Sequence, residues 1–225
     1  QAMRAHFDGE FGKLLTAADA FVDTPTGRWD VQVRGLRACV RVLRGEPVPN
    51  ERRGPDGAGD DDVTEALEMA RGSGFRRLHY TALGLGALCR ALQGRLKEAA
   101  ELLDELAEAW SEVPSPASGE WVSAAACAAA LAGREAAVRV RGMLDRVRHR
   151  TPWPEAALRM VTAALASADG DHARAGEFYT AAAGIYAQIP TVTDRMLALA
   201  LAEGWRVRAG PGPRRPAARS PGHLP

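Results

Sequence analysis

GSGFRRLHYTALGLGALCRALQGRLKEAAELLDELAEAW, the stretch from Gly72 to Trp110, decides the fold. After Gly94, the run Leu96, Ala99, Leu103 and Leu106 has the three-and-four spacing of one helix face and none of the alternation of a strand. Apolar residues at helical spacing also precede Gly94, so this glycine stands where two helices meet and the chain needs the left-handed conformation. Ala87, two turns before it, supplies a small side chain where two helices approach closely.

The same pair recurs. An alanine precedes a glycine by seven residues at Ala38 and Gly45, Ala87 and Gly94, Ala126 and Gly133, and Ala163 and Gly170. The glycines are spaced by 49, 39 and 37 residues, and Gly9 lies 36 before Gly45. A period of roughly 20 to 50 residues is the mark of a helical repeat. Phe178, Tyr179, Ala182 and Tyr186 repeat the helical spacing after Gly170. The expected fold is therefore all-α, a row of about four helical hairpins. The copy at Gly133 is degenerate, with Val138 at the second alanine position and Gly142 where a large apolar residue belongs.

Two segments break the pattern. Residues 46–61 (EPVPNERRGPDGAGDD) carry three glycines, three prolines and no apolar periodicity, so they read as a flexible loop inserted between two helices. Residues 209–225 (AGPGPRRPAARSPGHLP) read as a disordered tail. Between them, residues 191–208 form one last helix, opened by Thr191 with Asp194 three residues on and carrying Met196, Leu197, Leu201 and Trp205. It is expected to cap the open end of the stack. The repeat domain then spans residues 1–208.

Composition narrows the function. The chain is 46% hydrophobic over 225 residues, enough for a substantial core. Its 29 Lys and Arg against 28 Asp and Glu do not provide the basic surface that binding to a phosphate backbone requires, so direct nucleic-acid binding is not expected. Cys39, Cys89 and Cys127 are odd in number and form no C-x-x-C pair, which fits a reducing, cytoplasmic compartment. No long uncharged apolar run is present, so no membrane partner is expected. Lys occurs only at 13 and 97, Asn once and Ile twice, a bias of GC-rich bacterial genomes.

Motifs that carry chemistry are missing: no phosphate-loop signature, no H-E-x-x-H, no G-x-S-x-G and no metal-spaced set among His6, His79, His149, His172 and His223. No cofactor, metal or catalytic residue is expected. Gly72-Ser-Gly74 and Gly84-Leu-Gly86 follow no strand and read as a helix connector and close packing. Asp60, Asp61 and Asp62 read as acids leading into a helix near Val63. Asp104, Glu105 and Glu108 read as a solvated helix face, as do Arg139, Arg146 and Arg150 on the one basic helix. Trp29, Trp110, Trp121, Trp153 and Tyr80 read either as core or as anchors for a partner.

At these residues the chain resembles the tetratricopeptide family. Laid on Gly94, the family pattern takes Leu83, Ala87, Gly94, Ala99 and Leu103; laid on Gly170, it takes Ala163, Gly170, Ala175, Tyr179 and Ala182. More narrowly, Gly72–Trp110 and Gly170–Arg195 are similar to the helical repeat arm of actinobacterial regulators of the signal-transducing ATPase type, including LuxR-type ones. The resemblance implies an α-solenoid of antiparallel helix pairs, a superhelix serving as the sensor or partner-binding arm of a fragment or stand-alone relative.

It also implies a binding surface. In that family the first helix of each pair lines the concave side, here placing Cys39, Leu88, Cys127 and Ala164 there, with Leu43, Leu92, Leu131 and Ala168 one turn on. These are small and apolar, so an apolar helix or extended peptide is the expected occupant and a carboxylate clamp is not. The alternative is a stack so tightly wound that its concave side closes on itself. Glu120, Trp121 and Ser123 on one leading turn, with Gln32 in an earlier pair, are the further candidates for touching a partner. The expected function is non-catalytic protein binding or scaffolding. The other readings are a small-molecule-sensing domain of a transcriptional regulator and an enzyme using Glu120, His79 or Asp171.

Overall fold

The computed structural model describes residues 2–22, 28–45, 62–112, 120–147, 151–189 and 191–209. Among them every regular element is a helix: α1 (Ala2–Phe7), α2 (Phe11–Val22), α3 (Arg28–Leu43), α4 (Asp62–Ser73), α5 (Arg76–Leu92), α6 (Leu96–Glu112), α7 (Glu120–Ala132), α8 (Arg134–Asp145), α9 (Pro152–Ala168), α10 (His172–Tyr186) and α11 (Val192–Ala209). The all-α class is therefore established. The inserted loop at 46–61 and the tail from 210 onward lie outside the described residues.

The repeat glycines sit at helix ends. Gly94 adopts φ +77°, its N–H donates to Ala91 O at 3.0 Å and that of Arg95 donates to Arg90 O at 2.9 Å. These two bonds satisfy carbonyls that the end of α5 would leave unpaired, and the positive φ they require costs glycine nothing. Gly170 repeats the arrangement between α9 and α10.

Gly133 departs from it, and the departure explains the degenerate copy. With φ 110° and ψ −168°, Gly133 is itself the N-cap of α8, whereas α6 and α10 begin two residues after their glycines. Every position of α8 thus comes one residue early. Ala137 is the buried alanine, and Val138, which the regular spacing places inward, is 52% exposed.

α3, α5, α7 and α9 pack side by side in chain order. α4 lies on α3 and α5, α6 on α5, α7 and α8, and α8 on α7 and α9. Ala38, Ala87, Ala126 and Ala163 are all wholly buried, as the spacing predicts. Replacing Ala87 or Ala163 with Leu is expected to cost about 1 to 3 kcal/mol by overpacking. Thermal unfolding of both variants checks it, and two unchanged midpoints would refute the close approach.

The far end of the chain behaves differently. α10 packs on α9 and α11, while α11 also reaches back to α7 and to α1. Thr193 of α11 donates its hydroxyl to the carbonyl of His6 in α1 at 2.9 Å. The last helix does lie against α10, as a cap would, but it also bridges to the first helix.

Candidate interaction site

Leu36, Cys39, Val40 and Leu43 of α3, Leu85 and Leu88 of α5 and Ala124 of α7 form a common apolar face. Opposite it lie His6 from α1 and Thr193, Asp194 and Leu197 from α11, enclosing a void of only about 20 Å³. That is room for roughly one water-sized sphere. At the void this face meets other parts of the same chain. Its cover is the chain's own first and last helices.

This places the residues proposed from sequence to meet a partner. Cys39, Leu88, Trp121, Ser123, Cys127 and Ala164 are all buried, and Gln32 is half-buried. In the chain as folded these six are interior, not open surface. Neighbouring helices bury them: α3, α5 and α7 pack side by side, and the Cys39 thiol donates to Leu85 O of α5 at 3.4 Å. Glu120 opens α7, but its side chain lies outside the described residues.

Buried polar groups join α10 to α7 and cap the first turn of α11. Tyr186 of α10 donates to Ser123 Oγ of α7 at 2.9 Å, and the Thr191 hydroxyl donates to the Asp194 carboxylate. Burial, and then the Asp194 charge, push the Tyr186 hydroxyl well above its ordinary range; burial and Asp194 do the same to the Cys127 thiol. Cys39 is raised by its neighbour Cys89 and by burial. All three thiols are free and buried. A buried thiol pushed up in this way is a weak nucleophile, which applies to Cys39 and Cys127.

His6 gives the cover a pH dependence. Burial lowers its imidazole from 6.5 to about 4. The folded chain therefore binds fewer protons than the unfolded one between those values. Stability present above pH 6.5 is lost as pH falls toward 4, by up to about 3 kcal/mol. Denaturant unfolding at pH 7, 5.5 and 4.5 checks this, and His6→Gln should flatten that part of the profile.

Two further clusters define the rest of the core chemistry. Tyr80, Trp110 and Trp121 form one aromatic cluster with centroids 5.3 to 5.6 Å apart, deciding these three as core. Trp153 packs edge-on against Tyr186 at 6.3 Å, and Trp29 is exposed. The second cluster is ionic. Arg37 makes a two-pronged bond to Asp62 at 2.7 and 2.5 Å and reaches Asp19 at 2.9 Å. Arg41 meets the same Asp19 oxygen at 2.9 Å, and Arg34 pairs with Glu65.

This network, joining α2, α3 and α4, is absent from the sequence reading above, which leaves Asp62 as an acid leading into a helix. Asp62 is instead buried. The available signal was Arg34, Arg37 and Arg41 spaced three and four along one helix face, which meets the three acids Asp19, Asp62 and Glu65. The supposed solvated faces also pair: Asp104 with Arg139 across α6 and α8, and Glu105 with Arg71 and His79. Arg71 first, with His79 assisting, holds the Glu105 carboxyl below its usual range despite partial burial. Asp171 caps α10, accepting the Arg174 N–H at 3.1 Å.

Among the described residues no group of three His, Cys, Asp or Glu side chains is placed to hold a metal ion, and no helix is long and apolar enough to cross a membrane. No family model matches the chain, and neither a curated protein nor a solved structure matches it.

Proposed function

We propose that this chain is an α-helical repeat protein of the tetratricopeptide kind, an α-solenoid of antiparallel helix pairs. Within that class it acts as a cytoplasmic protein-interaction arm of a bacterial regulator, similar to those of signal-transducing ATPase and LuxR-type proteins. The observation that carries the class is the recurrence itself. A glycine of positive φ follows a wholly buried alanine by seven residues at Gly45, Gly94, Gly133 and Gly170.

Support for binding over catalysis comes from where the reactive groups sit. The thiols are buried, Ser123 and Tyr186 bond to each other, and His79 is held by Glu105. The apolar face of α3, α5 and α7 is the kind of surface that takes an amphipathic helix. Affinity capture from lysate of the source organism, followed by titration with the recovered partner, tests the reading. Saturable binding of a protein without turnover is expected. No bound protein, together with saturable heat from a small-molecule library, would overturn it.

The second reading, a small-molecule sensor, draws on one feature. An open cleft of about 690 Å³ lies between α1 and α2, rimmed by Arg4, Asp8, Glu10 and Lys13 over a floor of Ala5, Ala17 and Ala20. Its charges already pair with one another, Lys13 with Glu10 at 2.6 Å and Arg4 with Asp8 at 3.5 Å. That leaves the protein-binding reading ahead.

A further inference from the structure

A helix at the end of a repeat stack has to show water a polar outer face. α11 meets that requirement poorly. Its inner side is buried through Thr193, Asp194, Ala198 and Ala202. Its outer side carries Val192, Met196 and Leu199, which are 41%, 56% and 44% exposed. Val192 leans on Gly9, where an added Cβ would stand 2.9 Å from Val192 Cγ1, and so closes one end of this stripe. Met196 and Leu199 continue it along the helix. Around them stand Arg195, Ala200, Glu203 and Gly204, all exposed, and the space beside Gly204 is open.

The spacing of this side is that of a helix-pairing seam. Val192, Met196, Leu199 and Glu203 follow one another by four, three and four residues, the heptad rhythm that keeps one stripe facing a second helix. Ala200 and Gly204 beside the seam are small enough for another backbone to come close. The charges fix the direction of that second helix. Were it another α11 running parallel, Arg195 would meet Arg195 and Glu203 would meet Glu203. With the helices antiparallel and Met196 level with Leu199 of the second copy, Glu203 is level with Val192 there, three residues or about 4.5 Å from Arg195. Long side chains span that distance, and two-fold symmetry forms the pair twice. The outer face of α11 is thus complementary to itself in one orientation. Residues 210–225 carry Leu224 as their only large apolar side chain, so they hold no stripe to match it.

We propose that the outer face of α11 binds a second copy of this chain, α11 against α11, antiparallel about a two-fold axis between Leu197 and Ala198. Met196 and Leu199 form the apolar centre of the contact, and Arg195 with Glu203 of the second copy forms the ion pair on either side. One helix on one helix is a small contact, so the dimer is weak and reversible. Pairing goes beyond the interaction reading: it joins two interaction arms in one particle, which raises their avidity for any partner that offers two sites.

Sedimentation velocity on the full chain, from about 1 to 300 µM, should show the mass rising reversibly toward twice that of one chain. Leu199→Arg should hold the chain monomeric over the whole range. Arg195→Glu should weaken self-association by roughly tenfold or more by setting like charges together, as should Glu203→Arg, and the two combined should restore it. The altered side chains are all exposed, and circular dichroism checks that each variant keeps the helix content of the parent. Should Leu199→Arg fail to fold, the charge-reversal series alone decides.

A parent chain that stays monomeric at every concentration overturns the proposal, including one that instead captures a different protein through Met196 and Leu199. A dimer that survives Leu199→Arg, or that the doubly reversed variant does not restore, has its interface elsewhere and overturns it equally. None of these results touches the interaction reading, which fails only if no other protein binds anywhere on the chain.

Discussion

Replacing Asp62 with Ala is expected to lower the unfolding free energy by about 3 to 5 kcal/mol, the effect of stranding a buried charge whose partner is removed. Both Asp62 oxygens accept from Arg37, and Arg37 is itself buried, so the guanidinium left behind has no water to replace the lost carboxylate. Asp19 remains on Arg37 at 2.9 Å, but it is also bound to Arg41 and is half-exposed. The consequence reaches beyond the pair. Asp62 is the first residue of α4, so the bond fixes where the helix resumes against α3. Urea unfolding measures the loss. Pairing Asp62→Leu with Arg37→Met should recover most of it, because a buried ion pair replaced on both sides by apolar groups is often neutral or better. A single Asp62→Ala variant within 1 kcal/mol of the parent would show that the network contributes little.

Gly84→Ala should destabilise by about 3 kcal/mol, at the upper end of overpacking costs. Gly84 lies in the interior of α5, where helix propensity alone favours Ala by about 1 kcal/mol. Packing reverses the sign. A Cβ there would stand 2.6 Å from the carbonyl oxygen of Trp121 and 3.1 Å from its Cα, and both are backbone atoms of α7 that cannot turn aside. α5 and α7 would have to separate, loosening the Tyr80, Trp110 and Trp121 cluster beside them. Gly142 of α8 is the internal control. Nothing lies within 4 Å of its missing Cβ, so Gly142→Ala should stabilise by about 1 kcal/mol. Thermal melts of the two variants should move in opposite directions. Movement in the same direction would sink the close approach of α5 and α7.

The hairpin pattern was legible because it rests on local rules. A left-handed residue at a helix end and a small residue two turns earlier are required by backbone geometry and can be read from spacing alone. Gly94 and Gly170 meet that requirement, and Ala87 and Ala163 are wholly buried. Gly133 shows the limit of that reading. The same residue type serves as C-terminal glycine in one turn and as N-cap in another, and the one-residue difference moves Val138 from core to surface.

The binding surface was much less legible. Cys39, Leu88 and Cys127 read from the sequence as the floor of a groove, and all three are buried. Nothing in residues 191–209 states whether their apolar stripe caps an end or folds back over that floor. The choice depends on a contact between positions 187 residues apart, Thr193 on His6.

By itself, then, the sequence determined the helical class, the turns and which alanines the helices close upon, since each follows from interactions within a few residues. Only the tertiary structure decided that α11 and α1 cover the apolar face, that Asp62 is buried on Arg37, and that Gly84 is a point of contact between helices. Those depend on which surfaces meet, and apolar spacing tells a helix which side to bury without telling it against what.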